Sequence, residues 1–189
     1  MTIKEELKGK NILIPENPVS NFFFNNTRSG LLWLIVRLYL GYAWLNAGYH
    51  KITSDKWVGS DAGAGLTGFI KGALGKAADG KDVTGWYASF LENMVLPHAK
   101  VFSYMVAFGE TLVGLGLILG LLTGIAAFFG AFMNACFLFA GTLSTNPLLF
   151  ILATWIVLAW KVAGWYGLDR WVLPFLGTPW NHPNRSKSG

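Results

Sequence analysis

A chain of 189 residues has room for one compact domain. Residues of the AVILMFWYC class make up 53% of it and charged residues only 13%, about half the share usual in soluble domains. The net charge of +5 does not point to nucleic acid, because the Lys and Arg residues lie in the tails and one loop and form no basic stripe interleaved with stacking aromatics; the single cysteine, Cys136, excludes an intrachain disulfide, CxxC redox chemistry, CxxCH haem attachment and cysteine-ligated clusters.

Residues 1–30 read as a tail. Lys4, Glu5, Glu6, Lys8 and Lys10 mix with Pro15 and Pro18, and no long apolar core of a cleavable signal peptide is present. The first apolar segment is therefore expected to act as its own insertion signal, with Phe22-Phe23-Phe24 lying in the membrane interface. Crossing a hydrocarbon layer of about 30 Å takes about 20 residues of helix. Four segments meet or approach that length: 31–49, 101–122, 125–143 and 148–164. The expected fold is all-α, an integral membrane four-helix bundle over residues 31–180, followed by a C-terminal tail over 181–189. The nine Trp and 23 Gly fit it, since Trp collects at membrane interfaces and Gly lets helices approach.

Between the first two segments, Leu66, Phe69, Ile70, Ala73 and Leu74 recur at helical spacing, and Trp86, Tyr87, Phe90, Leu91 and Met94 repeat the pattern before Pro97. Two short amphipathic helices are expected in this long loop, on the membrane surface or capping the bundle. Leu122-Thr123-Gly124 reads as a minimal turn. In the second turn, residues 141–147, Asn146 suits a helix cap and Pro147 a first helical turn. Turns this short force antiparallel neighbours. Four spans place both termini on one side, with Lys4, Lys8, Lys10, Arg28, Lys161, Arg170, Arg185 and Lys187. The other side holds Lys51, Lys56, Lys71, Lys76, Lys81 and Lys100, all in or beside the long loop, where charge counts less. The bias favours cytoplasmic termini in a cell membrane.

Charge inside a span costs a few kcal/mol and needs a reason. Arg37 in the first span, Glu110 in the second and Asn134 in the third are the polar residues at depth. At 1.5 Å per residue they lie about 9, 18 and 15 Å from the inner ends of their helices, so Glu110 and Asn134 are nearly level and Arg37 lies lower. Two readings stand side by side: a buried Arg–Glu–Asn network that fixes helix register, or a polar pocket that binds a quinone head group or relays a proton. The first helix carries Arg37, Gly41, Trp44, Gly48 and Lys51 on one face and Tyr39, Tyr42, Asn46 and His50 on another. His50, Lys51, His98 and Lys100 are candidates for a cationic outer mouth that draws in an anion. The histidines His50, His98 and His182 lack the spacing of a helical metal site, so no metal is expected.

Three stretches resemble the DoxX/DoxD membrane family. They are Arg37-Leu38-Tyr39-Leu40-Gly41-Tyr42-Ala43-Trp44-Leu45-Asn46-Ala47-Gly48-Tyr49-His50-Lys51, then Gly109-Glu110-Thr111-Leu112-Val113-Gly114 continuing to Gly124, and Met133-Asn134. Ser144-Thr145-Asn146-Pro147 and Ala159-Trp160-Lys161 extend the likeness. The resemblance implies a four-helix membrane protein and, in the DoxD branch, the large subunit of a thiosulfate:quinone oxidoreductase that works with a small DoxA subunit. It points to Arg37, Trp44, Lys51, Glu110 and Asn134 as functional positions. The expected function is a membrane subunit of a quinone-linked oxidoreductase, with thiosulfate at the outer mouth and quinone at Arg37, Trp44, Glu110 and Asn134. The alternative is a non-catalytic scaffold or accessory subunit of a respiratory or redox complex.

Overall fold

The computed structural model describes residues 15–177. Residues 1–14 and 178–189, with Lys4, Lys8, Lys10, Arg185, Lys187 and His182, lie outside the described residues. The described chain is helical throughout and contains no strand.

Helix α1 (Pro18–Asn25) starts where Asn17 accepts a hydrogen bond from the Val19 amide and proline fills the first position. Phe22 is exposed, whereas Phe23 and Phe24 pack inward and Phe24 stacks on Trp33. The Trp33 indole and the Ser29 hydroxyl both donate to the Phe23 carbonyl, and this holds α1 against the core. A 3-10 turn at Thr27–Ser29 then leads into α2 (Gly30–Ile52). Of the two dressed faces of α2, only one turns inward. Arg37, Gly41, Trp44 and Gly48 are buried, while Tyr39, Tyr42, Asn46 and His50 are exposed.

The long loop folds into α3 (Asp55–Val58), α4 (Ala64–Ala78) and α5 (Gly85–Phe90). A π turn at Leu91–Val95 and a 3-10 turn at Leu96–His98 carry α5 into α6 (Ala99–Leu119). Leu66, Ile70 and Ala73 of α4 bury against Tyr87, Leu91, Val95 and Ala140, forming a second small core. Trp86 and Met94, on the same apolar stripe in sequence, are exposed at 62% and 55%. The wider winding of the π turn moves the inward stripe to every fourth residue.

Gly120 stops α6 in the left-handed region, φ +63°, where a side chain would run into the Arg37 guanidinium. The turn is therefore Gly120-Leu121-Leu122, two residues earlier than the sequence suggests, and Thr123 and Gly124 already belong to α7 (Thr123–Phe139). Helix α8 (Asn146–Leu158) breaks at Ala159 and resumes as α9 (Trp160–Ala163). Asn146 is helical itself, and its side chain donates back to the Thr142 carbonyl at 3.0 Å instead of capping the amides. Helix α10 (Asp169–Phe175) follows.

The four apolar helices α2, α6, α7 and α8 pack side by side around Trp33, Leu40, Trp44, Leu117, Ala127 and Ile156. Two runs, Thr27–Ile52 and Gly85–Leu119, are long and apolar enough to cross a membrane. With 17 and 13 residues, α7 and α8 are shorter. Along the α2–α6 seam glycine replaces side chains. A Cβ at Gly48 would sit 2.6 Å from the Thr111 amide nitrogen, and one at Gly114 2.7 Å from Leu45 Cα. Backbone cannot step aside as a side chain does, so Gly48→Val is expected to destabilise the fold by about 3 kcal/mol. Gly68→Ala, on α4 with open space around it, is expected to stabilise by about 0.5–1 kcal/mol. Thermal melting of both variants in detergent checks the contrast.

Candidate functional site

Glu110 lies in the middle of α6 and is 1% exposed. Its partner is Lys51, whose ammonium stands 2.7 Å from Oε2. The pairing follows from helix packing. Antiparallel α2 and α6 lie nearly backbone to backbone at Gly48 and Thr111, so the next inward residue of α2, Lys51, arrives at the level of Glu110. The ammonium also lies 5.0 Å from the Trp57 ring centroid, which adds a cation–π contact. Trp57 is held in turn, since its carbonyl accepts from the Ser103 hydroxyl at 2.7 Å and Gly65 leaves room for its indole. Helix α3 thus closes over the ion pair.

Sequence reasoning places Arg37 or Asn134 beside Glu110, and the structure corrects this. Arg37 is fully buried at the opposite end of α6. Its guanidinium donates to the carbonyls of Leu117 (2.9 Å), Ile118 (3.3 Å) and Tyr166 (3.1 Å), occupying acceptors left over at a helix C-terminus. Beside it Asp169, also fully buried, accepts from the amides of Leu122 (2.6 Å), the residue before α7, and Thr123 (2.9 Å), the first of α7. Its carboxylate supplies the countercharge to Arg37. Arg37 and Asp169 together lock the α6–α7 turn, so the Arg–Glu–Asn network splits into two clusters.

Asn134 is level with Glu110. A Cβ at Gly130 would meet Val113, and one at Gly109 would meet Met133, which sets the antiparallel register of α6 and α7. The Trp44 indole lies along the same turn of α7. Its nitrogen is 3.1 Å from that Gly130 position and its rings stack on Phe137 at 6.5 Å. Neither polar atom of the Asn134 side chain, nor Trp44 Nε1, has a hydrogen-bond partner among the described residues, although both residues are buried. Buried polar groups are nearly always partnered, so these three atoms on facing helices mark a candidate site; Arg37 Nε and Thr123 Oγ1, at the α6–α7 turn, lack partners among the described residues as well.

A groove of about 810 Å³ runs along α6 and α7 beneath α4 and α5, lined by apolar residues such as Ile70, Leu91, Leu112, Phe129 and Phe132. Gly109 and Met133, next in sequence to Glu110 and Asn134, also line it, as do Val113 and Phe137 one turn further on, whereas Trp44, Lys51, Glu110 and Asn134 themselves lie behind this wall. Cys136 lies in the groove, and its carbonyl accepts from the Tyr87 hydroxyl at 2.9 Å.

The expected cationic mouth does not assemble as a set. Lys51 turns inward to Glu110, exposed His50 lies edge-on to Tyr49, and exposed His98 donates through Nδ1 to the Met94 carbonyl. Only Lys100 of the four lines a polar cavity of about 470 Å³, which it shares with Lys56 and Asp61. The ion pair draws Lys51 away because an unpaired buried carboxylate costs more than a solvated ammonium gains. Among the described residues no three His, Cys, Asp or Glu side chains are grouped to hold a metal ion.

Trp57, Ser103 and Asp169 escape the sequence reading. An acid just beyond the last apolar segment, facing an uncapped helix start, was a usable signal for Asp169. For Trp57 and Ser103 the sequence carries no comparable mark.

No curated protein and no solved structure matches the chain. A family model described as DoxX matches residues 32–143, from the first turn of α2 to just past α7, and so takes in Arg37, Trp44, Lys51, Glu110 and Asn134. That match covers more than half of the sequence, and with the long apolar helices it identifies a membrane protein that belongs to the DoxX family.

Proposed function

We propose that this chain is the membrane subunit of a quinone-linked oxidoreductase, with a reduced sulfur compound such as thiosulfate as donor. The observation that carries the reading is the Lys51–Glu110 pair, buried level with the orphaned Asn134 amide and beside a long apolar groove. An amphipathic ligand with a polar ring and an apolar tail fits that combination. Trp44 and Asn134 would hold the head group and the groove would take the tail. Bound quinone would supply a two-electron, two-proton acceptor.

The chain's own residues then have separate tasks. Glu110 accepts and releases protons at its carboxylate, and Lys51 balances its charge when it is ionised. The apolar walls of the groove exclude bulk water. Arg37 positions α6 from below without touching the site. Lys56 and Lys100 offer a thiosulfate dianion its first attraction on the outer side. Electrons reach the bundle from a small DoxA-like partner subunit.

In this reading all four apolar helices cross the bilayer, with both termini cytoplasmic. The short α8 reaches across because α9 continues it after a one-residue break, about 27 Å in all.

The rival reading, an accessory subunit that docks a respiratory or redox complex, is favoured by the completeness of the Lys51–Glu110 pair, which can fix helix register unaided. Lipid extraction from the purified protein separates the two. Quinone in stoichiometric amount is the expected result. An extract without quinone, from a chain that co-purifies with a larger complex, would overturn the oxidoreductase reading and support the accessory role.

A further inference from the structure

The orphaned atoms at the bundle centre have complementary needs. Trp44 Nε1 and Asn134 Nδ2 are donors that require an acceptor, and Asn134 Oδ1 is an acceptor that requires a donor. Exchanging the two ends of the amide changes nothing, because both ends are unpartnered among the described residues. The Trp44 nitrogen also stands beside Gly130, one helical turn from Asn134 on α7. Side chains of a helix lean towards its N-terminus, so the Asn134 amide is aimed at the turn of Gly130, where the indole nitrogen stands. Stacking on Phe137 keeps the indole over this turn.

An oxygen that both accepts and donates meets all three needs at once. We infer that Trp44 and Asn134 form a binding site for a hydroxyl oxygen at the centre of the bundle, level with Glu110. Three polar partners fall within the two to four that a buried water uses. The same chemistry is presented by the ring hydroxyl of a reduced quinol. The carbonyl of an oxidised quinone differs, because it accepts from Trp44 and Asn134 Nδ2 but leaves Oδ1 unmet. The site therefore favours the reduced form of such a ligand over the oxidised form. The quinol source rests on the function proposed above, whereas the water source does not.

Two substitutions in the full-length protein, purified in detergent, test the site by the order of their melting points. Asn134→Ser keeps a donor and an acceptor and makes room for a second water. Asn134→Leu fills a similar volume with no polar atom. With a hydroxyl oxygen bound, Ser melts above Leu, and Leu melts below wild type by ~3 °C or more. Without one, Leu removes only an unmet amide, so it melts at or above wild type and above Ser, which overturns the inference. Added decyl-benzoquinol, kept reduced under anaerobic conditions, identifies the source. A rise in wild-type melting that exceeds the rise with the oxidised quinone and vanishes in Asn134→Leu assigns the oxygen to quinol. The Ser-above-Leu order with no response to either form assigns it to internal water, which keeps the site and removes these two residues from quinone binding.

Discussion

Under the proposed quinone-linked function, Glu110→Gln is expected to give a normal folded yield in detergent and a loss of at least ~10²-fold in quinone reduction, measured in native membranes. The amide has the shape of the acid, and its oxygen can still accept from Lys51, which stands 2.7 Å from Oε2. The Lys51 side chain is 21% exposed and rests on Trp57, so its charge stays partly hydrated when the carboxylate is gone. What glutamine cannot do is take up and release a proton at working pH. Glu110→Leu also loses the acceptor and should lower the melting point as well as the turnover. Normal turnover in Glu110→Gln would leave Glu110 as a register-fixing residue and remove it from the chemistry.

Asp169→Ala is expected to cost about 3 kcal/mol of stability, since a buried carboxylate that accepts from two amides and opposes the Arg37 charge disappears. The carboxylate caps the start of α7 and faces Arg37 across the Gly120 turn, so its loss strands three groups together. At the size of this chain the change corresponds to a fall in melting temperature of roughly 10 °C. Asp169→Asn keeps one acceptor oxygen and should fall between. Arg37→Met in the Asp169→Ala background should cost less than in wild type, because the guanidinium no longer has a countercharge to lose. Additive losses would show that the two residues act separately. The melting points of the two single variants and the double variant decide it.

The helices were legible because their signals are local. Apolar run length located α2, α6 and α7 to within four residues and the start of α8 to within two, but missed the break that ends α8 at Leu158; the stripe Leu66, Ile70, Ala73 located α4. Gly120 defeated the reading of the α6–α7 turn, because a left-handed glycine and a capping acid from beyond α9 decide where α7 begins. The polar residues at depth were also visible, since a membrane makes each of them costly. Their partners were not. Lys51 ends the first apolar segment and reads as a solvated flank, and only the glycine seam brings it to Glu110. Arg37 reads as a partner for the nearest acid, whereas its hydrogen bonds go to backbone carbonyls, which carry no mark in a sequence. Pairing between helices depends on register, and register is set by contacts that span the chain.

The glycine seam also sets how the molecule yields under load. With backbone resting on backbone at Gly41, Gly48 and Gly114, α2 and α6 have no compressible layer between them and respond as one stiff beam. Between α6 and α7 the outer side is an open trough walled by flexible side chains such as Met105 and Met133. Compliance is therefore concentrated on that flank. A breathing motion that parts the helices works against the α6–α7 side first and leaves the Lys51–Glu110 distance almost unchanged, so the charged pair stays rigid while the wall next to it moves.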